Sequence, residues 1–485
     1  MASVNKQSLR EELHALKGRF EQLVADGKMA AESRELFQAL LMLLELLMAV
    51  FMEKHTPKTS TNSSKPSSQT AKDETAVATT RPGTHGKGKT LDQARSSNTR
   101  TVETVQVAKV MSCEHCGADL SKAPCRGHER RTQIDIVFEK VLTHVDAEIK
   151  RCADCRRQTR APFPEAFSGP LQYGAGIKAY ALNLLIAQML SLKRVQQSIQ
   201  ILVGLAISEA TFLKYVLQLH QALERWEHSA IERLLTMPAM HVDETSLRVE
   251  RKNHWIHVCS AQDITLKCLH PKRGQEAMEA IGIIPQYGGV IIHDCWASYL
   301  AYDHCGHGLC GAHLLRELTF IVDAEDYAWA ANMKRLLQQT CRLVSKRKRK
   351  KLNSREYANL QKRYRNILTR GAKELPPIPP RQNGKRGRVA KSDAHNLWER
   401  LKEHERAVLL FAKEPHVAFT NNRAERDLRM SKVKQKVSGC FRKRECAEAY
   451  CRISSYLQTM ANHGYNPLVA IQMALSGQLY AETGE

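Results

Sequence analysis

The sequence predicts a multidomain protein built on an α/β core with a long helical insertion, preceded by a leucine-rich coiled-coil segment and a small zinc-ribbon module. Three observations predict it. Short β-rich runs cluster between Met240 and Asp294, leucines recur three and four residues apart near the N-terminus, and two C-x-x-C pairs flank a strand-like stretch. At 485 residues the chain is long enough for two or three cores, so no disulfide or metal is needed merely to reach a folding size.

Residues 1–54 carry the leucine pattern. Leu9, Leu13, Leu16, Phe20 and Leu23 alternate four and three apart, and Leu36, Leu40, Leu43, Leu47 and Val50 repeat the spacing, which is that of a coiled-coil seam. Gly27 lies between the blocks and the register does not carry across it, so the segment either pairs with a second copy or folds back as a hairpin. Self-association is the favoured expectation. The run Leu36 to Met52 is apolar, but it contains Gln38 and Glu45 and falls short of the ~20 residues a bilayer requires, so no membrane role is expected. The opening MASVNKQSLREELHALKGRF lacks the layout of a secretory signal, and 14 Cys in such a chain read as reduced thiols or metal ligands in the cytoplasm.

Residues 55–101 turn to Ser, Thr, Lys, Pro and Gly, the composition of a disordered basic linker. Residues 102–165 form the zinc-binding, DNA-binding module. Its ligands are Cys113, Cys116, Cys152 and Cys155, because a two-residue gap lets both thiolates of a pair reach one tetrahedral Zn²⁺. A strand over Thr132 to Val137 would bring the pairs together, and Cys125 and His128 are substitute ligands. Residues 166–236 are helical. Arg194 to Leu202, then Gly204, then Ser208 to Leu219 read as helix, turn, helix with Ser208 as N-cap, either a DNA-reading unit or part of a bundle.

The α/β domain spans 237–430. HVDET, HWIHVCSA and ITLKCLH give three strands, a helix follows near Gln275, and GGVIIHD gives a fourth strand. A helical basic insertion occupies about 311–415, with SKRKRKK at 345–351 and the stretch ELPPIPPRQNGKRGR, and 431–485 is a C-terminal helical region. Lys plus Arg (73) exceeds Asp plus Glu (50), a formal charge of +23 that would hold the protein against a polyanion, so nucleic acid is the expected partner, ahead of an anionic membrane surface.

Asp243 in HVDET and Asp294 in VIIHD each end an apolar strand run, so their carboxylates stand at neighbouring strand ends. Glu425 follows Asn421 and Asn422, either of which can cap its helix, and shares a face with Lys432 two turns on. Arg423, Arg426, Arg429, Lys432, Lys434 and Lys436 surround it, a cluster of like charge that suits a phosphate backbone. Three acids so placed can hold two Mg²⁺ about 4 Å apart, which stabilise both the attacking and the leaving oxygen of a phosphodiester. Cys305, His307, Cys310 and His313 are either a second metal site or a packed strand–helix junction.

CEHCGADL, RCADC, HVDET, HDCWASY, CGAHLLRELTF and above all FTNNRAERDLRMSKVKQKVSGCFR resemble the insertion sequence 66 family of bacterial transposases, from the leucine-rich N-terminus and NSSKPSS to the C-terminal end. The resemblance implies a ribonuclease H-like core with a DDE triad on Asp243, Asp294 and Glu425, and a helical insertion between the second Asp and the Glu. It implies Mg²⁺-dependent cleavage and strand transfer on double-stranded DNA, the terminal inverted repeats and target of a mobile element, often with accessory proteins of that element; a homo-oligomer is expected because pairing two DNA ends requires at least two catalytic sites. A non-catalytic DNA-binding regulator or targeting protein, and a plain nuclease, are the alternatives; a regulator has no use for three clustered acids.

Overall fold

The computed structural model describes residues 6–56, 62, 105–132, 139–165, 167, 169–378 and 391–478. Most of the expected linker, the strand expected after Thr132 and the basic stretch after Ile378 lie outside these residues. The chain divides into two compact units, one drawn from 1–85 and 225–458 and the other from 86–224 and 459–485.

The leucine-rich segment forms α1 (Lys6–Ala25) and α2 (Ala31–His55). Between them Gly27 takes a positive φ of 66°, and the amides of Lys28 and Gly27 bond the carbonyls of Leu23 and Val24 at 3.1 and 3.2 Å. That pattern closes α1 and turns the chain. Lys17 then meets Glu45 at 2.7 Å, so within one chain the two blocks form an antiparallel hairpin, where the leucine spacing favoured a zipper. The glycine stop explains the difference. Leu36, Leu40, Leu43 and Leu47 remain exposed on α2.

The second unit holds the cysteine pairs, a short antiparallel ladder of β1 (Ile149–Arg151) and β2 (Gln158–Arg160), and a helical set. α3 (Ala175–Leu182) runs into a π-helical turn over Asn183–Ala187, followed by α4 (Leu192–Val203) and α5 (Glu209–Ala222). Gly204, with φ 67°, stops α4, and the Ser208 hydroxyl accepts from the Thr211 amide at 3.2 Å to start α5. Val195 and Ile199 on α4, and Phe212, Tyr215, Val216 and Leu219 on α5, are buried at helical spacing.

The first unit resumes with α6 (Glu224–Leu235) and then the sheet: β3 (Ala239–Val249), β4 (Lys252–Ala261) and β5 (Ile264–His270). Glu250 and Arg251, both at positive φ, make a two-residue turn that keeps β3 and β4 in register from Val249–Lys252 to His241–Ser260. After α7 (Gln275–Ile281) and α8 (Ile283–Gln286) come β6 (Val290–His293), α9 (Ala297–Leu300) and β7 (Gly306–Leu309). The strand order is β5-β4-β3-β6-β7, with β4 antiparallel to both its neighbours and β6 parallel to both of its own.

Five helices follow: α10 (Gly311–Glu325), α11 (Ala328–Lys346), α12 (Ser354–Glu374), α13 (Asp393–Glu403) and α14 (Glu405–Lys413). They share a core of Leu318, Trp329, Met333, Leu337, Tyr364 and Leu401. Gly371 on α12 lies against Trp329, and a Cβ there would stand 2.7 Å from the indole, which is what lets α11 and α12 approach. α2 docks on this insertion: Ala49 and Met52 are buried, and the Glu53 carboxylate accepts from the amides of Asp393 and Ala394 at 2.6 and 2.8 Å, capping α13 from outside. Among the described residues, Ala31–Lys54 is the one helix long and apolar enough to cross a membrane by length and composition. The chain returns to the sheet as α15 (Asn422–Ser438) and ends in α16 (Arg444–Asn462) and α17 (Pro467–Leu475); α17 packs on α3 and α5 in the second unit.

Candidate active site

β3 and β6 run side by side and parallel, with Ala239 opposite Val290 and His241 opposite Ile292. Continued to the end of β6, that register brings Asp294 level with Asp243. Asp294 accepts from the Trp296 amide at 3.1 Å, an Asx turn that ends the strand, and Asp243 accepts from the Glu244 amide at 2.9 Å. His241, Ser260 and Thr265 are register partners across three strands, so their side chains share one face. α15 lies on it: His241 bonds Asn421, while Ser260 and Thr265 donate to Asp427 at 2.7 and 3.0 Å. Asp243, two residues beyond His241, therefore faces the helix that carries Glu425.

The electrostatics record the convergence. Burial, then the charges of Glu244, Asp294 and Glu425, push the Asp243 carboxyl up to about 8, against only one lowering contribution, the Glu244 amide. Several half-buried acids brought together from two strands and a helix repel each other, and a bound cation would invert that balance. Glu425 sits in the first turn of α15, its Oε1 3.6 Å from His313 Nδ1 and 3.9 Å from Arg316. Cys310, His313 and Glu425 bring their ligand atoms within 4.8 Å of one another. The Glu425 Oε1 and His313 Nδ1 atoms are both buried and lack hydrogen bonds, which leaves them open as donors to a divalent cation beside the carboxylates.

Of the four residues weighed as a second metal site, Cys310 and His313 come together with Glu425 as a set of ligand atoms. His307 is engaged in a relay: His293 Nε2 lies 3.1 Å from His307 Nδ1, and His307 Nε2 donates to the Tyr302 carbonyl at 3.2 Å. Cys305 donates to that same carbonyl. Burial, with the charge of His307, pushes His293 down to about 3 and keeps it neutral.

The cationic residues divide. Arg426, Arg429, Lys432 and Lys436 are exposed, and Lys432 reaches Ser246 on β3 at 3.1 Å. Arg423 instead bonds the carbonyls of Gln262 and Ile264 in the β4–β5 turn. Lys434 is buried, and burial pushes its ammonium down to about 8. Both serve the interior. Sequence reasoning passed over Glu244, which is held by Arg273 (2.7 Å) and by the Tyr299 hydroxyl (2.6 Å). Arg273 in turn lies between Trp255 and Trp296, 5.0 and 4.3 Å from their ring centres. Only the adjacency of Glu244 to Asp243 in HVDET could have pointed there.

In the second unit the two cysteine pairs adopt one backbone design. The fourth residue after the first Cys, Gly117 or Arg156, has positive φ and bonds the Cys113 or Cys152 carbonyl at 2.9 or 3.0 Å. The amides of Cys113 and Cys152 return to Ala118 and Arg157, both at 2.9 Å. Amides of the turn, and then the second thiol, hold both first thiols below their ordinary value, the condition a thiolate ligand needs. Among the described residues the four sulfurs are not gathered into one ligand set; each knuckle stands formed by itself.

Residues 170–449 match the family model described as Transposase IS66 family. The match takes in the sheet, the insertion and all three acids, and leaves the cysteine pairs outside it. A comparison with curated proteins finds no match.

Proposed function

This chain belongs to the IS66 transposase family, and we propose that it binds the ends of an insertion sequence, cleaves the strands there and joins the freed ends to target DNA. The observation that carries the reading is the convergence of Asp243 and Asp294, at adjacent parallel strand ends, with Glu425 on the helix across that face. We read the five-stranded sheet, three antiparallel strands continued by two parallel ones, as a ribonuclease H-like core, and the three acids as a DDE triad.

Bound Mg²⁺, two ions in such a site, would supply charge for both the attacking and the leaving oxygen. Asp243, Asp294 and Glu425 would hold the cations, and His313, held below its ordinary value by burial and then by the Arg316 charge, would add a nitrogen donor beside Glu425. Arg426, Arg429, Lys432 and Lys436 give phosphate contacts that fix register without reading sequence. A structural Zn²⁺ on Cys113, Cys116, Cys152 and Cys155 is supported by the twin knuckles, and self-association by the exposed leucines of α2. Accessory proteins of the element are part of the proposal.

The test is a joining assay with the full chain, DNA carrying the element's ends, a target plasmid and Mg²⁺. Cut ends covalently joined to target support a transposase. Cleavage without joining identifies a nuclease, and binding without cleavage a regulator.

A further inference from the structure

Asn421 stands where a helix cap belongs, yet it does not cap: its ψ is 17° and no side-chain bond to the first turn of α15 forms. Its amide turns the other way, into the sheet. Only 1 % exposed, it donates through Nδ2 to the Val242 carbonyl at 2.8 Å, while Oδ1 lies 3.0 Å from His241 Nδ1. A carbonyl can only accept, so the amide nitrogen must face Val242 and the oxygen must face a protonated Nδ1 of His241. The main chain of Asn421 is tied as well. Its N–H donates to Cys310 Sγ at 3.1 Å, and its carbonyl takes the Glu425 amide at 3.3 Å as the first bond of the helix turn. Next to it, Gly311 donates to the Phe419 carbonyl at 2.7 Å, and a Cβ on Gly311 would collide with the Phe419 ring.

Three distant segments meet on this one residue: the side chain takes the two residues before Asp243, and the main chain ties the start of α10 that bears His313 to the turn before Glu425. We infer that Asn421 is a positioning residue for the metal site, setting where Glu425 stands relative to Asp243; this rests on the reading of those acids as metal ligands. Glu425 Oε1 has no hydrogen bond of its own, only the longer ion pairs to His313 and Arg316, so its place depends on how α15 begins. Alanine at 421 would remove the side-chain bonds to Val242 and His241 and leave the start of α15 tied through its main chain alone. Groups that orient ligands in this way typically change metal affinity about 10- to 100-fold when removed.

The test is Mn²⁺ binding to the zinc-loaded full chain without DNA, read by electron paramagnetic resonance, with the thermal transition as a check on folding. Asn421→Ala is expected to weaken Mn²⁺ binding about tenfold or more. His241→Ala, which removes one leg of the clamp, is expected to weaken it less, and the double variant no more than Asn421→Ala, because the two act as one unit. Glu425→Gln separates the layers. If it binds Mn²⁺ as the unaltered chain does, the metal site itself is wrong. If Glu425→Gln weakens binding while Asn421→Ala or a folded His241→Ala leaves it unchanged, the positioning role alone is overturned. Should Asn421→Ala fail to fold, His241→Ala decides.

Discussion

At Asp243, burial and three neighbouring carboxylates push the side chain up to about 8, so without a cation its ionised form is penalised in the folded state only. The sign follows from linkage. Stability from this group is fully present below the ordinary carboxylate range and is lost as pH rises toward 8, because the folded chain resists giving up a proton that the unfolded chain releases. Asn in its place removes the loss. Calorimetry at pH 8 without metal should find Asp243→Asn melting about 2–4 °C higher than the unaltered chain. Mg²⁺ should raise the melting temperature of the unaltered chain and leave that of the variant nearly unmoved. A variant less stable without metal would contradict this account of the site. Asp243, Asp294 and Glu425 were legible because each ends an apolar run or follows an Asn pair. Asn421 was legible only as a cap. Its partners, His241 and Val242, lie far away in sequence, and no local pattern carries a bond of that reach.

Among the elements, those whose signal is local matched the structure most closely. Ser208 starts α5 and Gly204 stops α4, since cap and stop act within one turn. The N-terminal leucines gave the right helices with the partner left open, because heptad spacing specifies an apolar stripe and not what covers it. Gly27 folds the stripe back on its own chain, and Glu53 anchors α2 to α13. The cysteine knuckles lie between. Their repeated turn geometry supports the zinc proposal, which predicts about one Zn²⁺ per chain by elemental analysis and its loss in a Cys113→Ser, Cys116→Ser variant. That variant should also lose local order around the knuckles, since structural zinc contributes folding free energy directly. Unchanged zinc content would refute the ligand set.

Across the whole molecule, the sheet was readable as three strands, a helix and a fourth strand, while β7 was legible only as one side of a strand–helix junction and not as a fifth strand of the sheet. GHGL is too short, and too rich in glycine, to carry an alternation signal; it forms because β6 offers an open parallel edge and Gly306 and Gly308 let Val290 and Ile292 pack close. The insertion was readable as helical and basic. Its role in returning the chain at Phe419, so that α15 crosses the sheet and presents Glu425 to the aspartates, is a property of topology alone. The proposed function depends on that return. The most direct measurement is single-turnover cleavage in Mg²⁺ of DNA carrying an element end, by Asp243→Asn, Asp294→Asn and Glu425→Gln beside the unaltered chain, with a gel shift on the same DNA. Each variant should cleave about 100- to 1,000-fold more slowly or worse, with binding nearly intact because phosphate contacts come from other residues. Full-rate cleavage by any one of the three, or by the unaltered chain in chelator, would contradict the account.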